Sequence, residues 1–558
     1  MHILSKSRRL QIENLNALYR LTGFSLVRDD KEVSGENVAE CQTSLTFCTM
    51  RNIHLIELFN ETASRFPNKP ALIDDEIVLS FKELQNQAWT IAWHIEALGT
   101  GNNQPVAILL GDSWQAIAAI LGTLYSGNCY APMDTKNPAD RMQKILGNLN
   151  PVCIITDTAG AKSLADSGNR IEVMNVDEID LHLQVPEPFG YKDCIDTDPA
   201  YIIHTSGSTG IPKGVAISHL SVMDYIGWAM ETFDISEDEI IGNQAPLVFD
   251  NSTLDLYLMV FAGATLCLIP KHLFMFPARL MDYINEKGIN FVFWVPSVLV
   301  NVANLQILDN LDVPGLQKVL FAGEVMPTKP LNYWRHHLGS EVLFANLYGP
   351  TEITVDCTYH ILEREYDDNE VLPIGKPCRN SDVLILNERG QVCKENEPGE
   401  LCVRGSSLAL GYWNNPEKTE AAFVQNPLNP HYPEKIYRTG DLVYSDENGE
   451  IIFVGRMDNQ IKHLGYRIEL GEIEHAVSTL FDNLHPCVIY DETNKKIVLI
   501  YESASEISAR EFRRALSKVL SKYMIPSEFI HVKNLQYNTS GKIDRKFLKE
   551  QYLHAVIH

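Results

Sequence analysis

The stretch Ile203–His219, IHTSGSTGIPKGVAISH, decides how the rest of the chain is read. Ten of its residues, Thr205–Gly214, hold three glycines, four hydroxyl residues, one proline and one lysine. The apolar run before it (DPAYIIH) predicts a buried strand, and VAISHLSVMDYIGWAM after it predicts the start of a helix. A loop of small residues leaving a strand presents backbone N–H groups and hydroxyls that can surround phosphate oxygens. The nucleotide P-loop pattern is not met. That motif needs glycine and lysine five and six residues after its first glycine, then Ser or Thr; counting from Gly207 gives Pro212, Lys213 and Gly214. From this stretch alone two readings stay open, a phosphate grip of another kind and a solvated Gly/Ser turn.

Outward from the loop, the chain alternates strand and helix. PVAILLGDSWQAIAAILGTLYSGNCYAPMD, PVCIITD, ATLCLIP, INFVFWVP, LQKVLFAGE and EVLFANLYG are short β-rich runs separated by helix-length segments. This predicts α/β architecture with largely parallel sheets, whose ligands sit at the carboxyl ends of strands. Three runs end in small or polar clusters, HTSGSTG, FAGE and LYGPTE, and the nucleotide site is expected there. After about residue 370 the character turns β-rich, with turns at Arg389–Gly390 and Asn448–Gly449. The last hundred residues mix strands with amphipathic helices. The expected division is an N-terminal extension over residues 1–52, to which no chemistry is assigned, a large domain over 53–457, and a small α+β domain over 458–558.

The bulk numbers narrow the function classes. A chain of 558 residues predicts two to four domains, and 45% hydrophobic with 21% charged residues is a globular composition. A net charge of −25 disfavours nucleic acid or an anionic membrane as partner. Eleven cysteines, an odd number without CxxC pairs, argue against a disulfide framework or a zinc site and for a reducing compartment. MHILSKSRRLQIENL has no apolar region after its charges, and no run approaches 18 apolar residues, so a cytoplasmic protein is expected.

Six motifs stand in order along the chain: YIIHTSGSTGIPKG, NLYGPTE, GELCVRG, YRTGDLV, GRMDNQIKHLGYRIELGEIE and NTSGKIDRK. The set closely resembles the adenylate-forming superfamily, which holds the adenylation domains of nonribosomal peptide synthesis, acyl- and aryl-CoA synthetases, and luciferases. The resemblance runs from about residue 53 to the end. It implies ATP and Mg2+: a carboxylate attacks the α-phosphate to give an acyl-adenylate and pyrophosphate, then a thiol displaces AMP. Thr205, Ser206, Gly207, Ser208, Thr209 and Lys213 resemble the loop holding the β- and γ-phosphates. Tyr348, followed by Gly349, is placed like the aromatic stacking on adenine. Thr351 and Glu352 follow, and Glu352 resembles the magnesium-binding carboxylate. Asp441 resembles the acceptor of the ribose hydroxyls, Arg456 a second ribose or phosphate contact, and Lys542 the mobile lysine that stabilises charge at the α-phosphate. Thr209, Glu352 and Lys542 are the catalytic candidates. Asp458 occupies the hinge about which the small domain turns between half-reactions, so that Lys542 serves adenylation and IKHLGYRIELG serves thiol transfer. The chain departs from the pattern there: His463, Leu464 and Gly465 follow Lys462, without the usual arginine.

Amino-acid activators in this superfamily carry an aspartate for the α-ammonium, and Asp250 in VFDNSTLDLY matches it. A carboxylate facing a ligand cation has an electrostatic purpose, whereas beside an uncharged acyl chain it only costs desolvation; a helix N-cap is the structural alternative. The other implied pocket positions are Asn251, Leu254, Phe293, Leu320, Ala322, Leu347, Val355 and Asp356, with Lys542. The apolar members resemble pockets of free-standing proline activators, and NQAPLVFDNSTLDLY is similar to the D-alanine carrier-protein ligases. Asp356 is foreign to a proline-type pocket and points to a hydroxyl, as in serine, or a side-chain amine, as in ornithine or lysine; the pointers conflict and leave the side chain open. No LGGxS or HHxxxDG motif is present, so a free-standing enzyme is expected. Its partner would be an acyl or peptidyl carrier protein in trans bearing phosphopantetheine, with an acid–CoA ligase as the alternative and an inactive adenylate-binding relative as the non-enzyme reading. EFRRALSKVLSKY is a candidate basic docking face or a solvated helix.

Overall fold

A computed structural model describes residues 54–557 except 100, 208–209, 482–483 and 537–542. The expected extension therefore lies outside the described residues, as do Ser208, Thr209 and Lys542.

Two sheets with parallel cores form the large domain. The nine-stranded sheet runs in space from Lys376–Pro377 through Thr358–Ile361, Leu343–Tyr348, Lys318–Phe321, Phe291–Trp294, Ile240–Asn243, Thr265–Leu268 and Pro70–Asp74 to Ile77–Ser80. Its six central strands are parallel, and its edges are antiparallel. The seven-stranded sheet holds Pro105–Leu109, Cys129–Pro132, Cys153–Thr156 and Glu172–Asn175 parallel to Pro199–Thr205, then turns antiparallel at Lys213–Ser218 and Gly411–Tyr412. Helices such as Phe81–Glu96, His219–Phe233 and Ser252–Ala262 fill the space between the sheets and share one apolar core with both. Helix Phe81–Glu96 begins with a reciprocal Ser80–Glu83 capping box, which satisfies two otherwise orphaned N–H groups.

The reading of the segment after the glycine loop needs correction. Lys213–Ser218 is a strand hydrogen-bonded antiparallel to Pro199–Thr205, and the helix starts only at His219. The loop thus closes a hairpin, with β-branched Val215 and Ile217 fully buried in it. The basic helix is also shorter than expected, Ala509–Leu516, and exposed Arg513 donates to the Ser527 carbonyl (2.8 Å) and lies over the face of Phe529.

A five-stranded antiparallel sheet, Ser381–Leu386 to Ile451–Arg456, makes the small β-rich subdomain. Both glycines of the expected turns have positive φ, Gly390 at +71° and Gly449 at +76°, which suits glycine at these positions. From residue 460 onward the chain forms a hairpin, Gln460–His463 with Tyr466–Glu469, and a three-stranded sheet. Apolar clusters on the two sides of that sheet are distinct from those of the large domain. Of the nine cysteines described, all free, eight are buried, as expected of small apolar residues. Among the described residues no helix is long and apolar enough to cross a membrane.

Candidate active site

The three polar strand ends do converge. Thr205 and Ser206, Gly323, and Gly349 with Thr351 line one cavity of about 290 Å3, closed by the hairpin Gln460–Glu469 of the C-terminal part. Gly349 is required by close approach: a Cβ there would lie 2.3 Å from the Val355 carbonyl oxygen and 2.6 Å from the Asp356 Cα. Asp250, Asn251, Asp441 and Arg456 also face the cavity.

Antiparallel pairing sets Asp441 directly opposite Arg456. The Arg456 guanidinium donates to Asp441 Oδ1 at 2.8 Å and to Asp458 Oδ2 at 2.6 Å, and the Tyr348 hydroxyl donates to Asp441 Oδ2. Buried Asp441 thus presents a double acceptor beside an aromatic ring, which suits a ribose next to an adenine. The Lys462 ammonium stands 5.6 Å from the Tyr348 ring centroid, within cation–π range.

Glu352 has no exposed surface. Burial pushes its carboxyl up, but the charges of Arg467 and Lys213, with hydrogen bonds from Arg467 and Tyr412, outweigh this and hold it at about 2. Tyr412 donates to Oε1 at 2.8 Å and the Arg467 guanidinium to Oε2. In this orientation the Arg467 guanidinium takes the place beside this carboxylate that a divalent ion would need; a hard oxygen donor of this kind suits magnesium once the arginine has withdrawn. Among the described residues no cluster of three or more His, Cys, Asp or Glu offers an all-protein metal site.

The glycine loop is gripped by the C-terminal part. Ser206 Oγ donates to the Arg467 carbonyl at 2.8 Å and accepts from Glu469 N at 3.2 Å; Gly207 N donates to Glu472 Oε2 at 3.3 Å. Glu469 lies 3.9 Å from the Lys213 ammonium, and Glu472 pairs with Arg141, both side chains almost fully buried. On the far side, Gly465 N donates to Glu324 Oε1 at 2.7 Å, while Tyr466 stacks on Tyr523 and meets Phe249 edge-on.

The expected substrate positions separate into two groups. Asp250 and Asn251 face the cavity; Leu254, Phe293, Leu320, Ala322, Leu347, Val355 and Asp356 are buried behind it. Asn251, not Asp250, is the N-cap of helix Ser252–Ala262, and its side chain makes no cap hydrogen bond. Asp250 Oδ1 accepts from Asn251 N at 3.1 Å, and burial raises its carboxyl above the usual range against the Thr351 hydroxyl and the Lys462 and Arg467 charges. Sequence reasoning missed Arg141, Tyr225, Glu324, Tyr412 and Glu472. Arg141 carried a signal: it stands four residues before Ile145 and eight before Leu149 on the buried face of helix Ala139–Leu149, a place where an unpaired charge is costly.

Strand-end loops around one cavity, with the buried carboxylates of Asp441 and Glu352 beside it, suit a nucleotide-using α/β enzyme with a site shared between two parts of the chain. Residues 59–413 match the family model described as AMP-binding enzyme. The chain is 33% identical over 508 residues to zwittermicin A synthase ZmaJ of Bacillus cereus, covering 88% of this chain and 94% of that protein. It is 33% identical to bacitracin synthase 1 of Bacillus licheniformis over 90% of its own length, yet spans only 9% of that relative. The Vibrio cholerae adenylation domain AlmE, solved with glycyl-adenosine-5'-phosphate, shares the fold with a TM-score of 0.77 at 23% identity, covering 94% of this chain and 100% of that one. The chain belongs to the AMP-binding enzyme family.

Proposed function

We propose that this chain is an AMP-forming ligase that activates an amino acid and passes it to the phosphopantetheine thiol of a carrier protein acting in trans. In the first half-reaction a substrate carboxylate oxygen attacks the α-phosphorus of ATP and the bond to pyrophosphate breaks. In the second a thiolate attacks the aminoacyl carbonyl carbon and the bond to AMP breaks, the thiol proton going to solvent. Asp250 carries the amino-acid reading: its carboxylate is free of a cap role, faces the cavity, and is the group a substrate ammonium would neutralise. Asp441 and Arg456 hold the ribose, Tyr348 the adenine, and Thr205, Ser206, Gly207, Ser208, Thr209 and Lys213 the phosphates. Glu352 with Thr351 would hold magnesium, which when bound offsets phosphate charge. Lys542 acts in adenylation.

The small domain begins at Asp458 and turns there. In the orientation described, the hairpin and Glu472 take up hydrogen bonds that the phosphate loop would otherwise give to phosphate, since the Gly207 N–H points at a carboxylate. The β- and γ-phosphates and this orientation exclude each other, so pyrophosphate leaves before the hairpin enters. Breaking a buried ion pair costs about 3–5 kcal/mol. Glu472→Gln, which keeps shape but removes charge, therefore lowers single-turnover thiol transfer at least about tenfold and leaves pyrophosphate exchange within about twofold. Equal loss in both assays refutes the latch. The acceptor is tested by loading on CoA against a holo carrier protein: transfer to CoA with none to the carrier assigns an acid–CoA ligase instead.

A further inference from the structure

Arg141 is the third residue of helix Ala139–Leu149 in the large domain, and its side chain is only 7% exposed. Its guanidinium donates to Glu472 Oε1, while the other oxygen of the same carboxylate accepts from Gly207 N at 3.3 Å. One carboxylate of the C-terminal part therefore bridges a cation and a backbone N–H of the glycine loop. Lys213, at the far end of the loop, is treated alike: its ammonium lies 3.9 Å from Glu469. In this orientation the C-terminal part supplies an anion to both of these large-domain cations.

When the hairpin and Glu472 withdraw, Arg141 does not follow, because Ile145, Leu146 and Leu149 of its helix are anchored in an apolar cluster of the large domain. Left behind are a guanidinium and the Gly207 N–H, both facing the place that one carboxylate had filled. A guanidinium fork takes carboxylate and phosphate oxygens in the same way, and a loop N–H beside it completes an anion site. Arg141 lines the cavity together with His204 and Thr205. There the Thr205 hydroxyl and both His204 ring nitrogens are buried without a hydrogen-bond partner among the described residues. Burial and then the Arg141 charge hold the His204 imidazole neutral, at about 4, so it keeps one N–H to donate. Buried polar groups left unmet in one orientation call for a partner in the other.

We propose that Arg141 is a phosphate-binding residue: it holds the β,γ end of ATP and the departing pyrophosphate, then exchanges them for the Glu472 carboxylate when the C-terminal part closes. No covalent bond changes in this exchange; one ion-pair partner replaces another. Arg141 thereby ties closure for thiol transfer to the departure of pyrophosphate, because a single guanidinium serves both anions. This rests on the adenylation chemistry proposed above and not on which acid is activated.

The test compares ATP with AMP, which lacks the β- and γ-phosphates, by calorimetry on the full chain in magnesium buffer. Arg141→Met lowers ATP affinity about tenfold, the range for one hydrogen bond to a charged group, and leaves AMP affinity within about twofold. Retained AMP binding also shows that the variant folds. In exchange driven by whichever acid the native chain activates, KM for pyrophosphate rises about tenfold while KM for that acid stays within about twofold. Arg141→Lys, which keeps the charge without the fork, falls between native and Arg141→Met. An arginine that only holds Glu472 would leave ATP affinity and pyrophosphate KM at native values in Arg141→Met, and that result overturns the proposal. If Arg141→Met binds neither nucleotide, Arg141→Lys decides, and native values of both quantities in that variant refute it. A native chain that binds no ATP, or supports exchange with no acid, overturns the adenylation reading itself and this role with it.

Discussion

Lys542→Ala lowers amino-acid-dependent pyrophosphate exchange by about 10²–10³-fold, the range for removing one preorganised donor from a developing negative charge, and spares thiol transfer from preformed adenylate. The asymmetry is the informative part. In the orientation described, Lys462 and Arg467 stand at the site: the Lys462 ammonium lies over the Tyr348 ring, and Arg467 is paired with Glu352. Truncating Lys462 removes the ammonium that lies over the Tyr348 ring. Lys462→Ala is expected to show the opposite pattern, transfer lost and exchange retained. Separate rapid-quench measurement of the two half-reactions checks both, and equal losses in both halves contradict the alternation of domains.

Asp250→Ala removes amino-acid activation, with kcat/KM for exchange falling by at least about 10²–10³-fold. Removing one partner of a desolvated charge pair costs about 2–5 kcal/mol, and each 1.4 kcal/mol is a factor of ten. The loss is read mainly in amino-acid KM, since the ammonium contact exists in ground and transition states alike. ATP affinity, measured by calorimetry, is expected to stay within about twofold, because the nucleotide end is proposed to be held by Asp441 and Arg456, which pair with each other at 2.8 Å. A parallel fall in ATP affinity would mean that Asp250 shapes the cavity and does not read the substrate.

What was legible in the sequence was what depends on local pattern. Alternating apolar runs predict largely parallel sheets, and small polar clusters at strand ends predict the place where Thr205, Gly323 and Gly349 meet. The misreading of VAIS as helical has a local cause: Val215–Ser218 satisfies both periods over four residues, and only pairing with Ile202 and Ile203 settles it as strand. The contacts that complete the site are not local. Arg141 and Glu472 are 331 residues apart, and Arg467 and Glu352 are separated by 115. Tyr225 lies 131 residues from its hydrogen-bond partner Asp356 and is one of eight buried residues of its helix, so nothing in its own neighbourhood marks it. The strained bend at Thr354–Val355 is equally silent, because neither residue type favours positive φ.

Activation of an amino-acid carboxylate by this AMP-binding enzyme is the central proposal. The direct measurement is ATP–pyrophosphate exchange across the common L- and D-amino acids alongside simple fatty and aryl acids. The predicted result is exchange driven by at least one amino acid, abolished by Asp250→Ala, and absent with the uncharged acids. Exchange supported by a fatty or aryl acid and by no amino acid would contradict it.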